Sequence, residues 1–199
     1  MRFHGRGGQG AVTAADLLAL AAFEEGRYAQ SFPSFGSERM GAPVVAYCRL
    51  GEREIRTREP VVAPDCLIVI DPTLVHQVDL FAGLGPDGYV LVNSTRTLHE
   101  LGLGSLADRF RPERLLTVPA TEVAQRQIGR PLPNAALLGS FAALTAQVTI
   151  EAVSSAIRER FNRNPSVAER NVAAAAELFQ QARQLMTANG RAVLSAPPD

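Results

Sequence analysis

Apolar and polar positions along the chain follow two rhythms. An apolar-leaning stretch at residues 2–4 runs into a cluster of glycines. From Ala11 the positions Ala14, Leu17, Leu18, Ala21 and Ala22 then recur at helical spacing, until Gly26 offers a C-cap. Residues 28–32 and 44–50 read as strands, separated by a turn-rich loop at 33–43 that closes on a proline. Residues 66–71 and 89–94 are nearly continuous apolar runs ended by polar residues, the pattern of strands buried on both faces of a parallel sheet. A further strand is predicted at 114–120, with short helices at 73–82 and 121–129. From Asn134 the chain turns helical. Residues 136–148 are apolar almost all round, which implies burial in the core or in an interface. After Asn164-Pro165-Ser166 a last helix places Ala174, Leu178, Ala182 and Leu185 on one face.

Strands alternating with helices predict an α/β, Rossmann-like fold: a largely parallel sheet flanked by helices, with a helical C-terminal part. There is no internal repeat and no linker, so residues 1–188 read as a single domain and 189–199 as a loosely ordered tail. In such sheets ligands bind outside the carboxyl ends of the strands. The informative loops are therefore 5–10, 31–43, Asp71-Pro72 and Asn93-Ser94.

Composition narrows the picture. A chain of 199 residues with 46% hydrophobic content can bury one sizeable core. The formal net charge is zero, which removes any global electrostatic case for nucleic acid or an anionic membrane. Lysine is absent and all 20 basic residues are arginine, the mark of a compositional bias. Cys48 and Cys66 form no C-x-x-C pair and sit in apolar stretches, as small buried hydrophobes. His4, His76 and His99 share no metal-ligand spacing. No apolar run reaches the ~20 residues of a membrane span, and the amino terminus lacks a signal-peptide core. The expectation is a cytoplasmic protein without membrane insertion.

The chemistry concentrates in HGRGGQGA. Gly5, Gly7 and Gly10 match G-x-G-x-x-G at a strand-to-helix turn, where glycines let the backbone approach a phosphate and the helix amino terminus supplies unpaired N–H donors. A dinucleotide site would also need an acid ~20 residues on, to hold a ribose hydroxyl. The chain has Gln30-Ser31 there, so NAD is disfavoured. Gln9 offers an amide donor and acceptor suited to a ligand or a neighbouring subunit. Arg6, Ser37, Glu38 and Arg39 add charge and hydroxyl beside the presumed site, and Asp71, Asn93 and Ser94 end strands that could face it. No nucleophile elbow, P-loop or H-E-x-x-H is present. The residues describe a phosphate-binding domain without a catalytic set.

HGRGGQGAVTAADLLALAA, SFPSFGSERMGAPVVAYCRL, Asp71-Pro72, VNS and PNAALLGSF occur in order over roughly residues 2–180. Together they closely resemble the gamma component of 2-oxoacid:acceptor oxidoreductases, pyruvate:ferredoxin oxidoreductase in particular. The resemblance implies a non-catalytic subunit of an enzyme that converts a 2-oxoacid and coenzyme A to acyl-CoA and carbon dioxide, passing electrons to ferredoxin or a similar acceptor. It implies alpha, beta and delta-type partners, with thiamine diphosphate and iron–sulfur clusters held in those partners. Gamma is implied to support assembly and to hold part of a coenzyme A site. By position, Gly5, Arg6, Gly7, Gly8, Gln9, Gly10, Ser37, Asn93 and Ser94 are the residues assigned to it. Met40 departs from the arginine common in pyruvate-type members, and the first strand is short. Gamma subunits of aromatic or branched 2-oxoacid complexes, such as phenylglyoxylate, remain an alternative. So do a stand-alone nucleotide-dependent Rossmann-type enzyme and a purely structural partner whose glycine loop docks on a neighbour.

Overall fold

A computed structural model describes residues 1–34 and 40–195. Six strands form one mixed sheet in the order β2-β3-β1-β4-β5-β6. They are β1 (Arg2–Arg6), β2 (Tyr28–Pro33), β3 (Pro43–Gly51), β4 (Cys66–Val69), β5 (Tyr89–Asn93) and β6 (Leu115–Val118). β1, β4, β5 and β6 pair in parallel. β3 runs antiparallel to both β1 and β2, so only β3 opposes the common direction. The helices are α1 (Ala11–Glu24), the short α2 (Gly104–Ala107), α3 (Ala120–Ile128), α4 (Asn134–Thr145), α5 (Ile150–Arg160) and α6 (Pro165–Ser195).

Period-two alternation in the central strands divides the core. Phe3, Ile68, Leu91 and Leu116 face one side, where α1, α3, α4, α5 and α6 bury them in the larger cluster. Leu67, Val69, Val90 and Val92 face the other side and are covered by Leu74, Leu80, Leu84, Leu101 and Phe110 from irregular segments. Helix α4 is buried nearly all round, as its apolar circumference requires, and packs mainly on α6. The approach is close at Gly139, where any Cβ would run into the Ala175 carbonyl.

Three details depart from the sequence reading. The segment at 73–82 is not a helix: a 3-10 turn, Pro72–His76, is capped by Asp71 and then gives way to irregular chain. That irregular chain is anchored to β1, where the buried Arg2 guanidinium donates to Leu80 O and Ala82 O at 2.8 and 2.6 Å. Leu185 is 40% exposed, unlike Ala174, Leu178 and Ala182, so it does not continue their buried face. Helix α6 also continues to Ser195, past the boundary expected at residue 188.

Candidate functional site

The carboxyl ends of β1 and β4 carry the glycine loop. β1 continues through Gly5 and Arg6 before the turn, and Gly7 makes a bridge to Met40 and bonds with Ala42 and Gly41. Gly8 (φ 95°) and Gly10 (φ 78°) take left-handed backbone that other residues adopt at a cost. Gly10 also caps α1 and lies against Asn134, the first residue of α4, where a Cβ would collide with the side-chain amide. That glycine is required by helix packing as much as by any ligand.

Arg6 is the hub of the site. Its Nε donates to Asp71 Oδ2 at 3.1 Å and its Nη1 to Gly41 O at 3.1 Å. Its Nη2 donates to Thr73 Oγ1 at 2.8 Å and Gln77 Oε1 at 2.9 Å. Gln9 completes the brace: its Oε1 accepts from the Arg6 N–H at 2.7 Å and its Nε2 donates to Asp71 Oδ2 at 2.8 Å. Both ends of the Gln9 amide are thus engaged within the chain rather than turned outward. Burial of the Asp71 carboxyl works upward on its pKa. Bonds from Thr73 and Gln9 and the Arg6 charge outweigh that, so the group stays below the ordinary carboxylate range.

What the brace leaves open is main chain. Gln9 N–H bonds Arg6 O and Ala14 N–H bonds Gly10 O. The N–H groups of Gly8, Gly10, Ala11, Val12 and Thr13 have no acceptor among the described residues. Gly8, Gly10, Ala11 and Val12 border a cleft of about 400 Å³, walled by Val12, Val44 and the 87%-exposed Met40. Donors at a helix amino terminus form an anion cradle. Arg6 adds no unengaged charge to it, and among the described residues no nucleophile lines it.

The other sequence-predicted residues fall in different places. Asn93 is buried: its Nδ2 donates to Ile70 O and Thr121 Oγ1, both at 2.8 Å, and its Oδ1 accepts from the Thr121 N–H. It ties β4 to α3 and offers little to a ligand. Ser94 Oγ accepts from the Arg96 N–H in a local turn. Ser37, Glu38 and Arg39 lie outside the described residues. Sequence reasoning missed Asp71 as the anchor of the loop, together with Thr73 and Gln77. The only available signal was an Asp-Pro step at a strand end.

Behind the loop, His4 is buried on β1, with no hydrogen-bond partner for Nε2 among the described residues. Burial, reinforced by Arg2, pushes its pKa down to about 4, so the imidazole is neutral at pH 7. Among the described residues no three His, Cys, Asp or Glu side chains group to hold a metal, and no helix is long and apolar enough to cross a membrane.

Residues 1–181 match the pyruvate ferredoxin/flavodoxin oxidoreductase family. The chain belongs to that family. It is 46% identical over 181 residues to the pyruvate/ketoisovalerate oxidoreductases common subunit gamma of Pyrococcus abyssi, covering 91% of this chain and 95% of the relative. It is 47% identical over 158 residues to the pyruvate synthase subunit PorC of Methanosarcina barkeri, covering 79% and 84%. The crystal structure of the pyruvate oxidoreductase subunit PORC from Thermotoga maritima superposes with a TM-score of 0.75 at 34% identity, over 90% of this chain and 93% of that one.

Proposed function

We propose that the chain is the gamma subunit of a pyruvate-type 2-oxoacid:acceptor oxidoreductase of the cytoplasm, and that its glycine cleft holds a phosphate of coenzyme A. Membership of the family and the gamma and PorC relatives support the subunit assignment. The coenzyme A assignment is carried by one observation: a row of N–H donors at the amino terminus of α1, without acceptors among the described residues, bordering a cleft. The residues fit such a group. Gly8 leaves the approach open, since a Cβ there would meet only the flexible end of Met40, and the cleft accommodates one end of the molecule rather than all of it.

In this reading the subunit performs no bond-making step. Alpha, beta and delta-type subunits carry the thiamine diphosphate, the iron–sulfur clusters and the route to ferredoxin. The glycine cleft orients coenzyme A, and Arg6, Gln9 and Asp71 hold the loop in shape for it.

The test is kinetic. The complex is purified through this chain with wild-type Val12 or with Val12→Asp, which sets a carboxylate among the cradle donors. An intact complex whose KM for coenzyme A rises on the order of tenfold, with kcat nearly unchanged, supports the assignment. An intact complex with unchanged KM removes coenzyme A from the cleft. Loss of assembly makes the loop a docking surface. If no partners bearing clusters and thiamine diphosphate copurify with the wild-type chain, the subunit assignment itself fails.

A further inference from the structure

The amino terminus of α1 borders two clefts. Val12 lines the glycine cleft, and Thr13, the next residue, lines a second one of about 560 Å³. Successive side chains of a helix point about 100° apart, so the two clefts flank the same helix end. Asn134 also lines the second cleft, and its side-chain amide lies against Gly10 of the loop. The clefts are therefore neighbours, within reach of one molecule. The second has a volume in the range of small-molecule sites.

Charge separates them. Arg130, Arg160 and Arg170 line the second cleft, and among the described residues no Asp or Glu does. None of the three guanidinium groups has an ion-paired acceptor among the described residues. Glu169, beside Arg170 in sequence, is taken by Arg158 at 2.7 Å. Arg160 lies over the Phe161 ring, with Cζ 5.8 Å from the centroid, which leaves its in-plane N–H groups open. All three arginines are exposed, so each can turn onto a ligand. Helix ends of both signs meet there, the amino ends of α1, α4 and α6 and the carboxyl ends of α3 and α5. Their dipoles offset in part, and the guanidinium groups set the field. Three fixed positive charges around one cleft repel each other, and a dianion placed among them reverses the sign of that interaction.

The glycine cleft offers main-chain dipoles and no unengaged charge. Such donors suit a diphosphate, whose bridging phosphates are singly charged. A terminal phosphomonoester carries nearly two charges at neutral pH, and its oxygens match the planar fork of arginine. Coenzyme A holds both kinds of group: a diphosphate and, on its ribose, a 3′-phosphate.

We propose that Arg130, Arg160 and Arg170 bind the 3′-phosphate of the coenzyme A whose diphosphate occupies the glycine cleft, an inference that rests on the coenzyme A assignment made for that cleft. The arginines are then what distinguishes the coenzyme from its dephospho form.

Binding and kinetics test this together. The purified full chain is titrated calorimetrically with adenosine 3′,5′-bisphosphate, its isomer ADP, and AMP. The bisphosphate binds saturably at millimolar concentration or below, and the other two bind at least about tenfold more weakly. In the assembled complex the KM for dephospho-coenzyme A exceeds that for coenzyme A at least about tenfold. The double variant Arg130→Gln, Arg170→Gln alters exposed side chains only, and brings both ratios to within about twofold by weakening the 3′-phosphorylated member alone. Val12→Asp acts on both forms of the coenzyme alike and leaves their ratio where it was. Failure of the glycine-cleft assignment thus shows in the absolute KM of Val12→Asp, and failure of this proposal in the ratios. The proposal is overturned if the wild-type chain does not bind the bisphosphate, if ADP or AMP binds as tightly, if the complex does not distinguish the two coenzyme forms, or if the double variant keeps the preference.

Discussion

Replacing His4 by phenylalanine removes a buried imidazole from β1, two residues before the loop brace begins, and the effect on stability has a sign and a size. In the folded chain the imidazole titrates at about 4, whereas an unfolded histidine titrates near 6.5. Between those values the unfolded chain binds a proton that the folded chain refuses. Stability is therefore full above about pH 6.5 and falls as the pH drops through the window, levelling off near the folded value. The difference of roughly 2.5 units, at about 1.4 kcal/mol each, gives roughly 3 kcal/mol lost in wild type and retained in His4→Phe. Phenylalanine is somewhat larger and can cost a constant amount at every pH, but a constant offset does not alter the slope. Urea titrations followed by helical circular dichroism, repeated across the window for both proteins, measure the difference curve. Parallel curves for wild type and variant would refute the account of His4 as a buried neutral imidazole. Asp71 does not confuse the result: its depressed pKa confines its own loss to pH below about 3.9, as protons reach a carboxylate held by Thr73, Gln9 and Arg6.

The remaining predictions concern the site and its frame. Asp71→Asn removes the charge that Arg6 faces and costs on the order of 2 kcal/mol at neutral pH; in the assembled complex it also raises the KM for coenzyme A, and an unchanged KM would show that the loop keeps its shape without it. Asn93→Ala unties β4 from α3 at a similar cost of about 2 kcal/mol, read by thermal unfolding, yet leaves the KM for coenzyme A where it was. Met40→Arg, on an exposed side chain beside Gly8, changes stability by no more than about 0.5 kcal/mol and lowers the KM for coenzyme A severalfold by bringing a cation to the cradle. Gly139→Ala forces α4 and α6 apart at the Ala175 carbonyl and costs at least about 1–3 kcal/mol, visible as a fall in the melting temperature.

The strands and the long helices were legible because their burial is periodic. The runs at 66–71 and 89–94 are buried on both faces, and 136–148 is apolar all round because α4 is enclosed. The expected helix at 73–82 is instead a short 3-10 turn followed by irregular chain, and that chain is held by Arg2, 78 and 80 residues away, a contact no local pattern contains. The glycine loop could be read as an anion cradle, since that depends on a turn next to a helix. The brace could not be read, because Gln9 and Asp71 are 62 residues apart and their meeting depends on β1 and β4 being neighbours. Gln9 accordingly looked like an outward-facing amide, and Asn93 like a ligand contact, until their partners were known.

The working atoms of the glycine cleft belong to peptide units, and this governs what genetics can see of it. Truncating Val12 or Met40 to alanine leaves every donor N–H in place, so an alanine scan passes over the cradle almost silently. Natural variation meets the same barrier. Exchanging side chains around the loop cannot add or remove those N–H groups, except by proline, and adjusts the site only from outside, through added charge or the curvature of the chain. Replacing single peptide bonds with esters deletes one donor at a time and reads the cleft directly.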